Sequence, residues 1–91
     1  GGSREPIIID CFVDSANYEF TLNLNNKFAT RVTEDEDRDY ALFQTEYSLK
    51  EDANYYYLTS LSAAVSRDYK ISKVNPKLTT ESDTTFNCNF Q

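Results

Sequence analysis

The sequence predicts an all-β fold, namely a small antiparallel β-barrel or sandwich of about seven to eight strands. The first observation is an alternation in which apolar residues occupy every second position, a period of two that fits a half-buried strand and no helix. Its apolar members are Tyr18, Phe20, Leu22 and Leu24. The second observation is that turn-forming residues recur about every ten positions, as they do between short strands. The chain of 91 residues is long enough for one domain with one modest core.

The first third of the chain is predicted to form a meander of three strands. Ile7–Val13 is rich in β-branched residues and follows Pro6, which favours a first strand. Residues 14–17 have turn chemistry and lead into the alternating strand at 18–24. Asn25 and Asn26 then form a tight two-residue turn, because Asn tolerates the left-handed backbone. The returning strand is expected to continue the apolar face through Phe28, Thr30 and Val32.

The rest of the chain is predicted to form five more strands. After an acidic loop at 33–39, residues 40–49 favour a strand over a helix because Thr45, Tyr47 and Leu49 share one face. The other strands are expected at 55–61, at 68–74 with Tyr69 and Ile71 inward, at 77–81 and at 84–90. Turns are expected at 50–54, at Asn75-Pro76 and at 82–83, and the short segment 62–66 as one helical turn or a loop.

The two cysteines lie near the two ends of the chain. Cys11 has the same strand parity as Ile9 and Val13, and Cys88 has the parity of Phe86 and Phe90, so both thiols are expected to face the core. In a closed sheet they can be neighbours, and a Cys11–Cys88 disulfide would contribute roughly 4 to 5 kcal/mol in the chain-entropy model. The alternative is a pair of buried, reduced thiols in a cytosolic protein. Two cysteines without a histidine also exclude a structural zinc site and disfavour a cysteine nucleophile.

The charge balance limits the partners. A formal net charge of -6, with no His, argues against nucleic-acid binding and permits a basic protein partner or mimicry of a nucleic acid. No apolar run approaches the roughly 20 residues that span a bilayer. Residues 1–3 (Gly-Gly-Ser) have the character of an expression leader, which leaves 4–91 as a single β-domain.

Two stretches of the sequence contain candidate binding residues. The three successive tyrosines Tyr55, Tyr56 and Tyr57 cannot all face one core, so at least one ring is expected to meet solvent or a partner, unless this strand is covered on both faces. The acidic run is the second candidate, as a surface for a basic partner. Its members are Glu34, Asp35, Glu36, Asp37 and Asp39.

The acidic run also has a calcium pattern. Asp35, Asp37 and Asp39 stand at positions one, three and five of an EF-hand-like loop, and Glu46 stands at position twelve. Tyr40 at position six argues against this, because that position needs a positive φ that a bulky aromatic resists. The other interpretation is a solvated acidic turn.

The C-terminal half is similar to a family of small exported β-barrel proteins of bacteria and their phages. The resemblance lies in residues 68–79 (DYKISKVNPKLT) and 85–88 (TFNC), together with the early Cys11. These proteins resemble the membrane-bound or periplasmic inhibitors of c-type lysozyme, whose short closed sheet is locked by a disulfide. The resemblance implies that fold and an exported location. Those inhibitors use Ser-Gly and Lys-Gly loops to enter the lysozyme cleft, and this chain has no Gly after residue 2, so no inhibitory residue carries over.

Together these observations predict a secreted or periplasmic binding module that is not an enzyme, uses no cofactor and acts through a protein partner. An inhibitor of a basic protein such as a lysozyme is the leading hypothesis. One alternative is an intracellular acidic protein of phage type that mimics nucleic acid and blocks a DNA-binding enzyme. Another is a calcium- or carbohydrate-binding domain.

Overall fold

Eight antiparallel strands form a closed barrel, which confirms the predicted fold class. The computed structural model describes residues 5–14, 16–34, 43–61 and 67–91. The strands are β1 (Ile7–Val13), β2 (Ala16–Asn23), β3 (Phe28–Glu34), β4 (Phe43–Glu51), β5 (Tyr55–Ser60), β6 (Tyr69–Ser72), β7 (Lys77–Thr79) and β8 (Thr85–Phe90).

Each strand pairs with the next one along the chain, and β8 closes the barrel against β1. The barrel therefore has two distinct ends. The connections that follow β1, β3, β5 and β7 lie at one end, which we call the β3–β4 end, and those that follow β2, β4 and β6 lie at the other, the β2–β3 end.

The predicted disulfide joins β1 and β8, the two strands that close the barrel. Cys11 and Cys88 are directly paired across β1 and β8, and their sulfur atoms are bonded. Both residues are buried, and 77 positions separate them in sequence. No helix that could cross a membrane occurs in the part of the chain that the structure describes.

The core fills the barrel with the inward-facing residues of all eight strands. Phe20 is fully buried at its centre, and its ring centroid lies 6.3 Å from that of Tyr18, 6.3 Å from that of Tyr47 and 5.8 Å from that of Tyr69. Such tilted and edge-on pairs suit aromatic quadrupoles. The predicted inward residues of β4 and β6 are buried as expected: Thr45, Tyr47, Leu49, Tyr69 and Ile71.

The prediction of which β3 residues face the core is wrong. Asn23 pairs with Phe28 across the connection 24–27, and antiparallel partners share a face. The inward residues of β3 are therefore the partners of the inward residues of β2: Ala29 opposite Leu22, and Arg31 opposite Phe20. The residues expected inside lie on the outer face and are half-buried: Phe28, Thr30 and Val32.

The turns differ from the prediction in detail. In the β2–β3 connection the left-handed residue is Lys27, with φ 54°, and neither asparagine has a positive φ. β2 starts at Ala16, earlier than expected, because Asp14 adopts φ 46° and lets Val13 pair directly with Ala16. Phe90 is 45% exposed although it has the parity of Cys88, because β7 reaches only as far as Asn87 and leaves this end of β8 uncovered on one side. The segment 62–66 lies outside the described residues.

Candidate functional site

The three successive tyrosines of β5 divide between the two faces of the barrel wall. Tyr56 points inward and is 6% exposed, whereas Tyr55 is half-buried and Tyr57 is 36% exposed on the outer face. The rings of Tyr55 and Tyr57 lie with their centroids 6.1 Å apart. We call this outward pair the tyrosine ridge.

Asp52, in the turn before β5, holds the tyrosine ridge in place. Its Oδ1 accepts hydrogen bonds of 2.8 Å from the backbone N–H groups of Asn54 and Tyr55, and its Oδ2 accepts one of 2.6 Å from the Tyr57 hydroxyl. The Tyr57 bond, followed by the backbone bonds, lowers the pKa of Asp52 below its usual value, and the same bond raises the pKa of Tyr57. This hydrogen bond therefore fixes the orientation of the Tyr57 ring.

Two lysines flank the tyrosine ridge on the neighbouring strands. Tyr57 pairs with Lys50 of β4 on one side and with Lys70 of β6 on the other. The Lys70 ammonium lies 4.6 Å from the centre of the Tyr55 ring, which is a cation–π contact. The ridge is therefore an aromatic surface flanked by two lysines and by the Asp52 carboxylate.

The opposite side of the barrel carries a pair of half-buried carboxylates. Asp10 of β1 and Glu19 of β2 are directly paired on the outer face, and the Gln91 amide donates to both carboxylates at 2.6 and 3.2 Å. In an eight-stranded barrel these strands lie across from β5. The molecule therefore has a half-buried pair of carboxylates on one side and an aromatic surface with two lysines on the other.

The predicted acidic site is placed only in part. Glu34 ends β3 at the β3–β4 end of the barrel, whereas Tyr55 begins β5 at the opposite end. Glu46 is exposed on the outer face of β4, opposite Thr30. The other predicted members lie outside the described residues: Asp35, Glu36, Asp37 and Asp39. The residues that are described contain no group of three or more metal-binding side chains, so calcium binding by the acidic run stays a prediction.

A second site lies inside the barrel, around a buried arginine. Arg31 is only 9% exposed, and it donates from Nη1 to the Tyr69 hydroxyl at 3.0 Å and from Nη2 to Thr45 Oγ1 at 3.2 Å. Its Cζ lies 4.5 Å from the centre of the Tyr18 ring and 5.9 Å from that of Tyr69. Its Nε has no hydrogen-bond partner. We call Arg31, Thr45, Tyr18, Tyr47 and Tyr69 the arginine cluster.

Tyr47 supplies a second unpaired polar atom to the arginine cluster. Its side chain is fully buried, and its hydroxyl has no hydrogen-bond partner. Burial raises the pKa of Tyr47 from 10.0 to about 12, against the opposing effect of the Arg31 charge. The hydroxyl is therefore neutral at physiological pH.

Replacing Tyr47 by phenylalanine tests this description. Because the hydroxyl is unpaired, Tyr47→Phe is expected to leave the free energy of unfolding at pH 7 unchanged or higher by up to about 1 kcal/mol. The folded state binds the Tyr47 proton more tightly than the unfolded state does, so the wild type loses stability as pH rises from 10.0 to about 12, and the variant lacks this loss. The difference is on the order of 2 kcal/mol. Urea unfolding of both proteins across this pH range measures it, and parallel curves would contradict the burial of the hydroxyl.

Sequence reasoning missed both residues that organise these sites. The position of Arg31 follows from the predicted hairpin itself, because its pairing with Phe20 places it inside, but the prediction assigned the alternate residues of this strand to the apolar face. The role of Asp52 depends on a turn conformation and on a contact five residues away, which no alternation pattern reports. Comparisons of the chain with protein-family models, with curated proteins and with solved structures found no match.

Proposed function

We propose that this chain is an exported, non-enzymatic binding module that acts through protein–protein contact, with the tyrosine ridge as its contact surface. The observation that carries the proposal is the outward pair Tyr55 and Tyr57, fixed through Asp52 on a closed sheet. Tyrosine is favoured in such surfaces because it offers a large apolar area with few rotatable bonds and one polar group. A ring that is already oriented loses little entropy on binding.

The disulfide supports the exported location. Disulfides persist in oxidising compartments and are rare in the cytosol, where thiols are kept reduced. The Cys11–Cys88 bond therefore favours an exported module over the intracellular nucleic-acid mimic.

We propose a basic protein, such as a c-type lysozyme that the module inhibits, as the partner. A net charge of -6 attracts a basic protein over long range and raises the association rate at low salt. Lys50 and Lys70 beside the ridge then select a local patch of the partner that offers carboxylates or backbone carbonyls. The charge of the whole molecule governs the encounter, and the ridge governs the contact.

Replacement of the ridge residues is expected to weaken this binding. Tyr55→Ala and Tyr57→Ala should each raise the dissociation constant for a c-type lysozyme by at least about tenfold, because each removes a central aromatic contact. Isothermal titration calorimetry at low salt measures the effect, and a lysis assay measures inhibition. The wild-type affinity should fall as salt is added.

Phe12→Ala is the matched control. Phe12 is an exposed aromatic on β1, across the barrel from the ridge and 66% exposed, so its removal should leave binding unchanged. Equal losses from Phe12→Ala and Tyr57→Ala would show that the ridge is not the contact surface. A wild-type protein that binds neither lysozyme nor other basic proteins at low salt would refute the proposed function.

A further inference from the structure

The arginine cluster holds a buried positive charge without a counter-ion. Among the residues that the structure describes, the polar partners of the Arg31 guanidinium are two hydroxyl groups, and no carboxylate forms an ion pair with it. A buried charge is costly unless it is paired, and cation–π contacts and neutral hydroxyls compensate for only part of that cost. The guanidinium therefore has no carboxylate in direct contact among the described residues, and the Asp68 charge acts on Tyr47 of the same cluster.

Two unpaired polar atoms lie in this same cluster. Arg31 Nε–H is a donor without an acceptor, and the Tyr47 hydroxyl can donate one hydrogen bond and makes none. The two side chains are linked through Tyr69, which accepts a hydrogen bond from Arg31 and lies with its ring centroid 5.9 Å from that of Tyr47. A positive charge with two free donors matches the two oxygens of a carboxylate.

A surface cleft borders the arginine cluster at Tyr18 and Tyr69. It lies at the β3–β4 end of the barrel, has a volume of about 440 Å³, and is walled in part by Tyr18 and Tyr69. Both of these tyrosines lie against the guanidinium of Arg31, which does not itself line the cleft, so a ligand reaches the charge only when the half-buried ring of Tyr18 turns aside. This volume lies within the range of small-molecule sites, roughly 300 to 1,000 Å³.

The lining of the cleft restricts the ligand. Val13 and Phe86 give it an apolar wall, and its charged lining consists of three carboxylates and one guanidinium: Asp14, Asp68, Glu81 and Arg67. Because the carboxylates outnumber the guanidinium, the lining disfavours a compact dianion such as phosphate. A molecule with a single carboxylate and an apolar group can pair with the Arg31 charge and pack against Val13 and Phe86.

We infer that the arginine cluster and its cleft bind a small organic acid, with the carboxylate on Arg31 and Tyr47 and the apolar body against Val13 and Phe86. This site is separate from the tyrosine ridge, and its test does not depend on the proposed protein partner. The ligand class is a monocarboxylate of aromatic or aliphatic character.

The test compares four probes, three of which share a phenylpropyl skeleton. 3-Phenylpropionate is the proposed ligand type, 3-phenylpropanol lacks the charge, phenylalanine adds an ammonium group, and inorganic phosphate lacks the body. We expect 3-phenylpropionate to bind at least about tenfold more tightly than 3-phenylpropanol, and phosphate not to bind. Phenylalanine that binds as well as 3-phenylpropionate also supports the site, with its ammonium group beside the carboxylates of the lining.

The signal of Arg31 itself gives a direct readout. The chain has four arginines, so the Nε–H resonances of protein labelled with ¹⁵N-arginine are few enough to assign. The Arg31 resonance should shift on addition of 3-phenylpropionate, because its unpaired Nε–H gains an acceptor. Tyr47→Phe, which is expected to fold normally, should weaken binding about fivefold or more through loss of one donor. Lys27→Gln, at the opposite end of the barrel, should leave binding unchanged.

Two results would overturn the inference. The first is the absence of saturable binding of 3-phenylpropionate at millimolar concentration in the wild-type protein. The second is evidence that the chain supplies its own counter-ion, namely that replacing Asp35, Asp37 and Asp39 together by asparagine shifts the Arg31 Nε–H resonance and lowers the free energy of unfolding.

Discussion

Reduction of the Cys11–Cys88 disulfide is expected to lower the free energy of unfolding by about 4.5 kcal/mol. The bond closes a loop of 77 positions, and without it the unfolded chain gains the corresponding conformational entropy. Because small domains are stable by only about 5 to 15 kcal/mol, this loss is a large share of the total. Urea unfolding with and without a reductant measures it.

The matched control is the variant with both Cys11→Ala and Cys88→Ala. Its stability should be as low as that of the reduced wild type and should not respond to the reductant. Oxidised and reduced wild-type proteins with the same unfolding midpoint would show that the bond does not constrain the unfolded chain. Unequal slopes of the unfolding curves are expected, since the reduced unfolded state exposes more surface.

Phe20→Ala is expected to cost about 3 to 5 kcal/mol of unfolding free energy. Phe20 is fully buried between the rings of Tyr18, Tyr47 and Tyr69, and these come from three different strands, so the surroundings cannot collapse into the vacated space without moving the barrel wall. Denaturant unfolding monitored by circular dichroism gives the value.

Phe12→Ala serves as the reference for this change. The same atoms are removed, but Phe12 is 66% exposed on the outer face, so the cost should stay within about 0.5 kcal/mol. If Phe20→Ala does not fold, Phe20→Leu should still lower the free energy of unfolding more than Phe12→Ala does, although by less than is expected for Phe20→Ala. Similar costs at positions 12 and 20 would contradict the observed packing of the barrel interior.

The sequence pattern was sufficient to predict the barrel and most of the residues in its interior. Alternation identifies the buried faces of β1, β4 and β6, and the parity of Cys11 and Cys88 predicts the bond that closes the sheet. The prediction failed on β3 because it followed hydrophobicity instead of pairing: Phe28 and Val32 are apolar yet face outward, and Arg31 is charged yet faces inward. In a short hairpin the register is the stronger constraint.

The candidate sites were less accessible to sequence reasoning. The tyrosine ridge was predicted in part, since three successive tyrosines must divide between two faces, and the orientation of Tyr57 depends on Asp52 in a turn. The arginine cluster gathers side chains from β2, β3, β4 and β6, so it exists only once the barrel is closed. No local pattern carries that information.

The order of strands around the barrel also determines how this chain folds. Seven of the eight pairings join successive strands, so hairpins can add one after another at low cost in entropy. Only the meeting of β1 with β8 brings distant segments together, and it must wait for the others. The disulfide forms once these segments have met, so a chain that unfolds with the bond intact refolds without repeating the long-range search.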